Sequence, residues 1–214
     1  WKRVRQNARE QVTSIIHGKA WHEETKATSS QTKAFENGHY LVVFDLDETD
    51  YVCRYITRGG DREAFLKKFE GAMSDGFNPD KHLRAIGLAN QTTMLRGETE
   101  EVQRRLKSAM LKKHGEDAIA KHFRYFDTIC GATQDRQDAL RDLLSRPMDL
   151  LLVVGGYNSS NTSHLAEMGE GKLPTYFIKD ASEIESGERL NHFLQHKQEM
   201  VVAENWLPLE GQLT

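Results

Sequence analysis

Apolar residues come along this chain in short runs separated by polar loops. Val12 to His17 is a β-type run closed by Gly18, and Tyr40 to Phe44 is a second, more strongly apolar one, so both are expected to be buried strands. Asp47 to Ile56 carries Tyr51, Val52, Tyr55 and Ile56 at spacings of three and four, which predicts a short helix capped by Asp47 and ended by Gly59-Gly60. Phe65, Leu66, Phe69 and Met73 repeat the pattern, predicting a helix over Glu63 to Met73 that Gly76 and Asn78-Pro79 break. Residues 57–85 therefore read as a helical insertion.

Ile86 to Ala89 is expected to be a short strand, Glu98 to Lys113 a long amphipathic helix, and Tyr125 to Ile129 a strand leading into Cys130. Gln134 to Ser145 reads as a helix stopped by Pro147, and Leu150 to Val154 as a continuous apolar strand. After Gly155-Gly156 come a helix from Thr162 to about Met168, a strand over Thr175 to Ile178 and a last helix over Glu188 to Gln195. Strands alternating with helices imply an α/β fold with mainly parallel sheets flanked by helices, arranged as two small domains, 1–126 and 127–214. In such sheets ligands bind at the carboxyl ends of strands, where the polar loops fall.

Composition narrows the function classes. The 214 residues carry a net charge of −3, which argues against a surface that coats nucleic acid. No apolar stretch is long enough to span a bilayer. The 2 cysteines, Cys53 and Cys130, form no CxxC pair and no secretory signal is present, pointing to a reducing compartment. The chain opens on Trp1 and stops at Leu213-Thr214, straight after what looks like the start of a strand, so both ends are expected to be cuts through a longer protein.

Four segments carry candidate chemistry. Gly155 to Thr162 joins a strand to a helix N-terminus, where backbone N–H groups, hydroxyls and amides converge; it is either a phosphate cradle or a polar turn with an N-cap. Cys130 sits at a similar corner, where a helix dipole favours the thiolate, the form that binds metal; the alternative is a buried structural thiol. Cys53, on an apolar helical face, reads as a packing residue. His17 to Thr25 brings imidazole, ammonium and carboxylates past a strand end, and Asn90 to Thr93 offers hydroxyls in the same way; a charged helix start and a capping turn are the alternatives. A competing pattern is Asp45-Leu46-Asp47-Glu48-Thr49 after an apolar run, the DxDxT of haloacid-dehalogenase-type phosphatases, although no GDxxxD or strand-borne acidic pair follows Val154.

In order along the chain, His22-Glu23-Glu24-Thr25, Asn90-Gln91-Thr92-Thr93, Asp127 to Gln137 around Cys130, and Val153 to Thr162 resemble successive motifs of the LytB/IspH family of hydroxymethylbutenyl diphosphate reductases. Ser14 to Lys19, Glu204 to Pro208 and the insertion look closest to its plant and cyanobacterial branch. The resemblance implies a three-domain, trefoil-like parent in which residues 1–126 and 127–214 are the middle domain and an incomplete third one. It implies reductive dehydroxylation of 4-hydroxy-3-methylbut-2-enyl diphosphate to isopentenyl and dimethylallyl diphosphate, in the MEP pathway of isoprenoid biosynthesis, at a 4Fe-4S cluster. By position Cys130 would ligate the cluster, with two further cysteines outside this chain. Glu24 would be the proton source, Thr92 with Thr93 would orient the substrate hydroxyl, and His22, Ser159, Ser160 and Asn161 would hold the diphosphate. Electrons would come from ferredoxin or a flavodoxin-like donor, with no nucleic-acid or membrane partner, in bacterial cytoplasm or plastid stroma. The isolated chain is expected to be inactive. A phosphatase built on Asp45 and Asp47, or a non-catalytic diphosphate-binding module using Asn158 to Thr162, are the competing readings.

Overall fold

A computed structural model describes residues 1–125 and 131–208 of the chain. Its contacts divide it into two compact units, Trp1–Ile129 and Cys130–Thr214.

The first unit contains α1 (Lys2–Arg9), β1 (Thr13–His17), α2 (Glu23–Ser30), β2 (Tyr40–Val43), α3 (Leu46–Arg58), α4 (Arg62–Lys68), α5 (Pro79–His82), β3 (Ile86–Asn90), α6 (Arg96–His114), α7 (Ile119–His122) and β4 (Phe123–Tyr125). Its strands form one parallel sheet in the order β2-β1-β3-β4. The central strands β1 and β3 are buried along their whole length. Their pairing sets His17 beside Asn90 at the carboxyl edge. From there β1 runs on to β2 on one side and β3 to β4 on the other. The crevice between their ends is therefore a topological switch point, the place where open α/β sheets take ligands.

Ile15, Leu41, Val43, Ile86 and Leu88 of the sheet, Val52 and Tyr55 of α3, and Val102 and Leu106 of α6 form one core. The expected insertion belongs to that core: Phe65, Phe69 and Leu83 are fully enclosed, and Phe65 lies 4.8 Å from both the Tyr55 and Phe69 rings. Several boundaries differ from the periodicity. α3 is capped by Asp45, whose Oδ1 accepts the Glu48 N–H at 2.8 Å, while Asp47 lies inside the first turn. α4 starts after Asp61, which caps it, and ends at Lys68; Met73 forms an antiparallel bridge with Leu41 instead of a further helical turn. α1, whose buried face is only Val4, Asn7 and Ala8, packs on β1 and β3 at Gly87, where an added Cβ would lie 2.3 Å from the buried Asn7 side chain.

The second unit contains α8 (Gly131–Leu143), β5 (Leu151–Val154), α9 (Ser160–Glu170), β6 (Thr175–Ile178), β7 (Arg189–Leu194) and β8 (Glu199–Glu204). β5 and β6 pair in parallel, and β7 and β8 form an antiparallel hairpin. The helix expected over Glu188 to Gln195 is thus strand β7. Leu190, Phe193 and Leu194 fit helical spacing, but Leu190 and His192, two apart, are the residues that become buried, and β8 supplies the backbone partner. Leu190 packs with Ile178 and Trp206 in one cluster, and Val153, Phe177 and Ala166 form another. The strand expected over Tyr125 to Ile129 and the one expected at the carboxyl end fall, beyond Tyr125 and Pro208, outside the described residues. Among the described residues, no helix is long and apolar enough to cross a membrane.

Candidate functional site

The turn after β1 and the turn after β3 meet at the switch point of the first unit. Gly18 permits their approach, since a Cβ there would lie 2.9 Å from Thr25 Oγ1 and 3.0 Å from Gln91 Cβ. His22 caps α2 with its ring: Nδ1 accepts the Glu24 N–H at 3.2 Å. That contact makes Nδ1 the acceptor, so the proton of the neutral ring sits on Nε2 and can be donated outward. Glu24, one residue into α2, faces the β3 turn. Its Oε1 accepts the Thr92 N–H at 2.8 Å and its Oε2 the Thr92 hydroxyl at 3.0 Å. Beside this pair opens a cleft of about 370 Å³, lined also by Trp1, Lys2, Thr28 and Asn90, a size that suits a small ligand. His22, Glu24, Thr92 and Thr93 are thus assembled by two neighbouring turns.

Two residues of the same region carry contacts that no motif reading assigned. Gln91, only 1% exposed, links the two turns through its amide. His17, fully buried at the end of β1, has Nδ1 2.8 Å from Thr99 Oγ1 on α6. A glutamine in a polar run and a histidine ending an apolar one leave no periodic signal.

In the second unit Ser159 caps α9, its Oγ accepting the Thr162 hydroxyl at 2.9 Å and the Thr162 N–H at 3.3 Å. Both contacts use oxygen lone pairs, so the Ser159 proton is directed elsewhere. Ser160 is buried in the first turn, and Asn161 Oδ1 is enclosed without a hydrogen-bond partner among the described residues. Ser159, Asn161 and Thr162 line a groove of about 510 Å³, to which α8 contributes Arg136, a cation the motif reading gave no role. Tyr157 anchors the loop behind them: its hydroxyl donates to Glu183 and accepts the Lys179 N–H. Burial and the Glu183 carboxylate push that hydroxyl well above the usual tyrosine range.

Cys130 lies outside the described residues. Cys53 lies half-buried on α3, where burial and the nearby Asp50 push its thiol up to about 12, the behaviour of a packing residue rather than a ligand. Among the described residues no three His, Cys, Asp or Glu side chains converge as a metal site. A 4Fe-4S cluster is therefore not built from them. The DxDxT run also resolves into local structure, with the Asp45 carboxylate occupied in capping α3 and Asp47 exposed in its first turn.

The family model for the LytB protein matches residues 1–204. The chain belongs to the LytB family. It is 51% identical over 209 residues to a protein of Thermosynechococcus vestitus named 4-hydroxy-3-methylbut-2-enyl diphosphate reductase, covering 97% of this chain and 50% of that one. A protein of Cyanothece with the same name is 49% identical, again with 97% and 50% covered. This LytB chain spans about half the length of the curated relatives it matches. Its fold resembles that of the E-1-hydroxy-2-methyl-but-2-enyl-4-diphosphate reductase from Plasmodium falciparum, with a TM-score of 0.58 at 19% identity over 86% of this chain and 46% of that one.

Proposed function

We propose that the protein to which this chain belongs reduces 4-hydroxy-3-methylbut-2-enyl diphosphate to isopentenyl and dimethylallyl diphosphate, the reaction after which its relatives are named. The observation that carries the reading is the Glu24 carboxylate held by the N–H and hydroxyl of Thr92 beside a cleft. Two electrons and two protons enter this reaction; the C–O bond breaks, the oxygen leaves as water, and carbon takes the second proton. A protonated Glu24 would donate to Thr92 Oγ1 while Thr92 donates its own proton to the leaving hydroxyl. The clamp keeps that relay aligned, as general acid catalysis requires.

Thr93, beside Thr92, is the proposed second group orienting the substrate hydroxyl, and His22 Nε2–H and the Ser159, Ser160 and Asn161 cap are the proposed diphosphate ligands. They combine a neutral imidazole, hydroxyls and an amide with a helix N-terminus, which favours negative charge. Cys130 is the proposed ligand from this chain to a 4Fe-4S cluster that needs two more cysteines from elsewhere in the protein. Electrons would come from a ferredoxin or flavodoxin-type donor. Bacterial cytoplasm or plastid stroma is the proposed setting.

The full-length protein, purified without oxygen, tests this. A brown chromophore that Cys130→Ala abolishes and that Glu24→Gln retains is expected, with turnover lowered by roughly 10² to 10⁴ in Glu24→Gln. A colourless wild-type protein, or Glu24→Gln at full turnover, would overturn the reading.

A further inference from the structure

We propose that Tyr157 is a positioning residue for the diphosphate: its hydroxyl straps the loop after β5 to the segment after β6 and so holds the Ser159 and Asn161 cap in the shape that receives the anion. This rests on the function proposed above, which places the diphosphate on that cap. The strap has a fixed polarity. The Lys179 backbone N–H, which can only donate, points at the Tyr157 oxygen at 3.1 Å, so the phenol proton is left for the Glu183 carboxylate. Burial and that carboxylate raise the phenol well above the usual tyrosine range, so it stays protonated and donating at any working pH.

The ring and the hydroxyl of Tyr157 act on different parts of the unit. The ring stacks on Phe193 at 4.6 Å and meets Phe177 edge-on at 5.1 Å, within the cluster built on Val153, Ala166 and Phe177. The hydroxyl reaches Lys179 and the 3₁₀ turn Ala181–Glu183, whose start is pinned by Asp180 accepting the Ser182 N–H at 2.9 Å. The loop itself is tied at both ends: the Gly155 N–H donates to the Ile178 carbonyl at 2.9 Å, and Ser159 caps α9. Between those ends the Ser159 N–H closes a turn on the Gly156 carbonyl at 2.9 Å, while among the described residues neither Gly156 nor Asn158 hydrogen-bonds to another segment. Among those residues the Tyr157 hydroxyl is therefore the polar tether across the middle of the loop. Ser159, two residues on, and Asn161 line the groove of about 510 Å³. Without the tether the turn samples more conformations, and ligand groups that must first be ordered bind more weakly.

The test is Tyr157→Phe in the full-length enzyme driven by a small chemical reductant. Phenylalanine keeps the ring packing and removes only the hydroxyl. The expected result is a rise in substrate KM of roughly threefold to thirtyfold with kcat within about twofold, the scale of one lost hydrogen bond. The inhibition constant of inorganic diphosphate, which shares only the anionic part of the substrate, should rise by the same factor. Glu183→Gln keeps an acceptor for the phenol and should stay within about twofold of the wild type, whereas Glu183→Ala should match Tyr157→Phe. Both changes together should cost no more than about twofold beyond either alone, because they cut one contact. A merely destabilised fold would lower the active fraction, and with it kcat, without moving KM or the inhibition constant. If Tyr157→Phe does not fold, Glu183→Ala carries the same expectation. An unchanged inhibition constant, a loss confined to kcat, or penalties that multiply in the double variant would overturn the proposal while leaving the reductase reading intact. A wild-type enzyme that does not reduce the diphosphate would overturn both.

Discussion

Glu24 and Thr92, 68 residues apart, are joined twice: one carboxylate oxygen takes the Thr92 N–H at 2.8 Å and the other its hydroxyl at 3.0 Å. The N–H contact survives any side chain but proline at position 92, whereas the hydroxyl contact needs a hydroxyl. Thr92→Val should therefore keep Glu24 in place and lose only the relay. Single-turnover measurements on the full-length enzyme should show a turnover loss of roughly 10² or more with substrate affinity within about threefold. Thr92→Ser should recover most of the rate. Wild-type turnover in Thr92→Val would exclude the hydroxyl from the proton path.

Asp45 offers a separation of two chemistries by stability. Its Oδ1 caps α3 through the Glu48 N–H, and asparagine has an oxygen able to do the same. Asp45→Asn should leave urea stability within a few tenths of a kcal/mol, whereas Asp45→Ala should cost about 0.5–2 kcal/mol. Neither change should abolish a metal-dependent phosphate release, because none is expected in the wild type. Release that disappears in Asp45→Asn would revive the DxDxT reading.

The stacked rings of His39 and His82, 3.5 Å apart, make the first unit sensitive to acid. Burial and the neighbouring His39 lower His82 to about 4, and burial lowers His39 below its usual value. His82 Nδ1 accepts the Asn78 N–H at 2.9 Å, a contact that needs the unprotonated nitrogen. Both groups bind protons more readily unfolded than folded. Their contribution is complete above the ordinary histidine value near 6.5 and is lost as pH falls from there toward 4. His114, stacked 3.8 Å from His122 and lowered by burial, acts with the same sign. Denaturant midpoints measured from pH 7.5 to 5 should fall for the wild type and fall less for His39→Phe, which keeps a ring but removes one titrating group. Parallel curves would remove the pair as a cause.

Much of this architecture can be read from residues alone, and the parts that cannot have specific causes. Strands β1, β2 and β3 are buried on both faces, and these three with β5 and β6 centre on short apolar runs, so their positions follow from the chain. The clustering of His22, Glu24, Thr92 and Thr93 is legible because both turns follow strands that the topology makes neighbours. The bracing contacts of Gln91 are not legible because a hydrogen-bonding brace has no periodicity. α1 is hidden by its charge: only Val4, Asn7 and Ala8 are buried, and one of the three is polar. β7 is misread because Leu190, Phe193 and Leu194 satisfy helical spacing, while the choice of strand depends on a partner ten residues further on.

Phe65 decides whether residues 57–85 are an appendage or part of the first unit's core. Its side chain is fully enclosed and packs against the rings of Tyr55 and Tyr51 on α3, of Phe69 at the C-cap of α4 and of Phe77 just before α5. Truncation removes an aromatic side chain from a position walled by other rigid rings, which cannot collapse to fill the space. Phe65→Ala should cost about 3–5 kcal/mol. The exposed Lys67→Ala on the same helix should change stability by less than about 0.5 kcal/mol. Equilibrium urea unfolding of the two variants distinguishes the cases: equal midpoints would mean that the insertion folds on the surface, whereas a large shift in Phe65→Ala alone means that the sheet whose following turn and helix hold Thr92 and Glu24 depends on it.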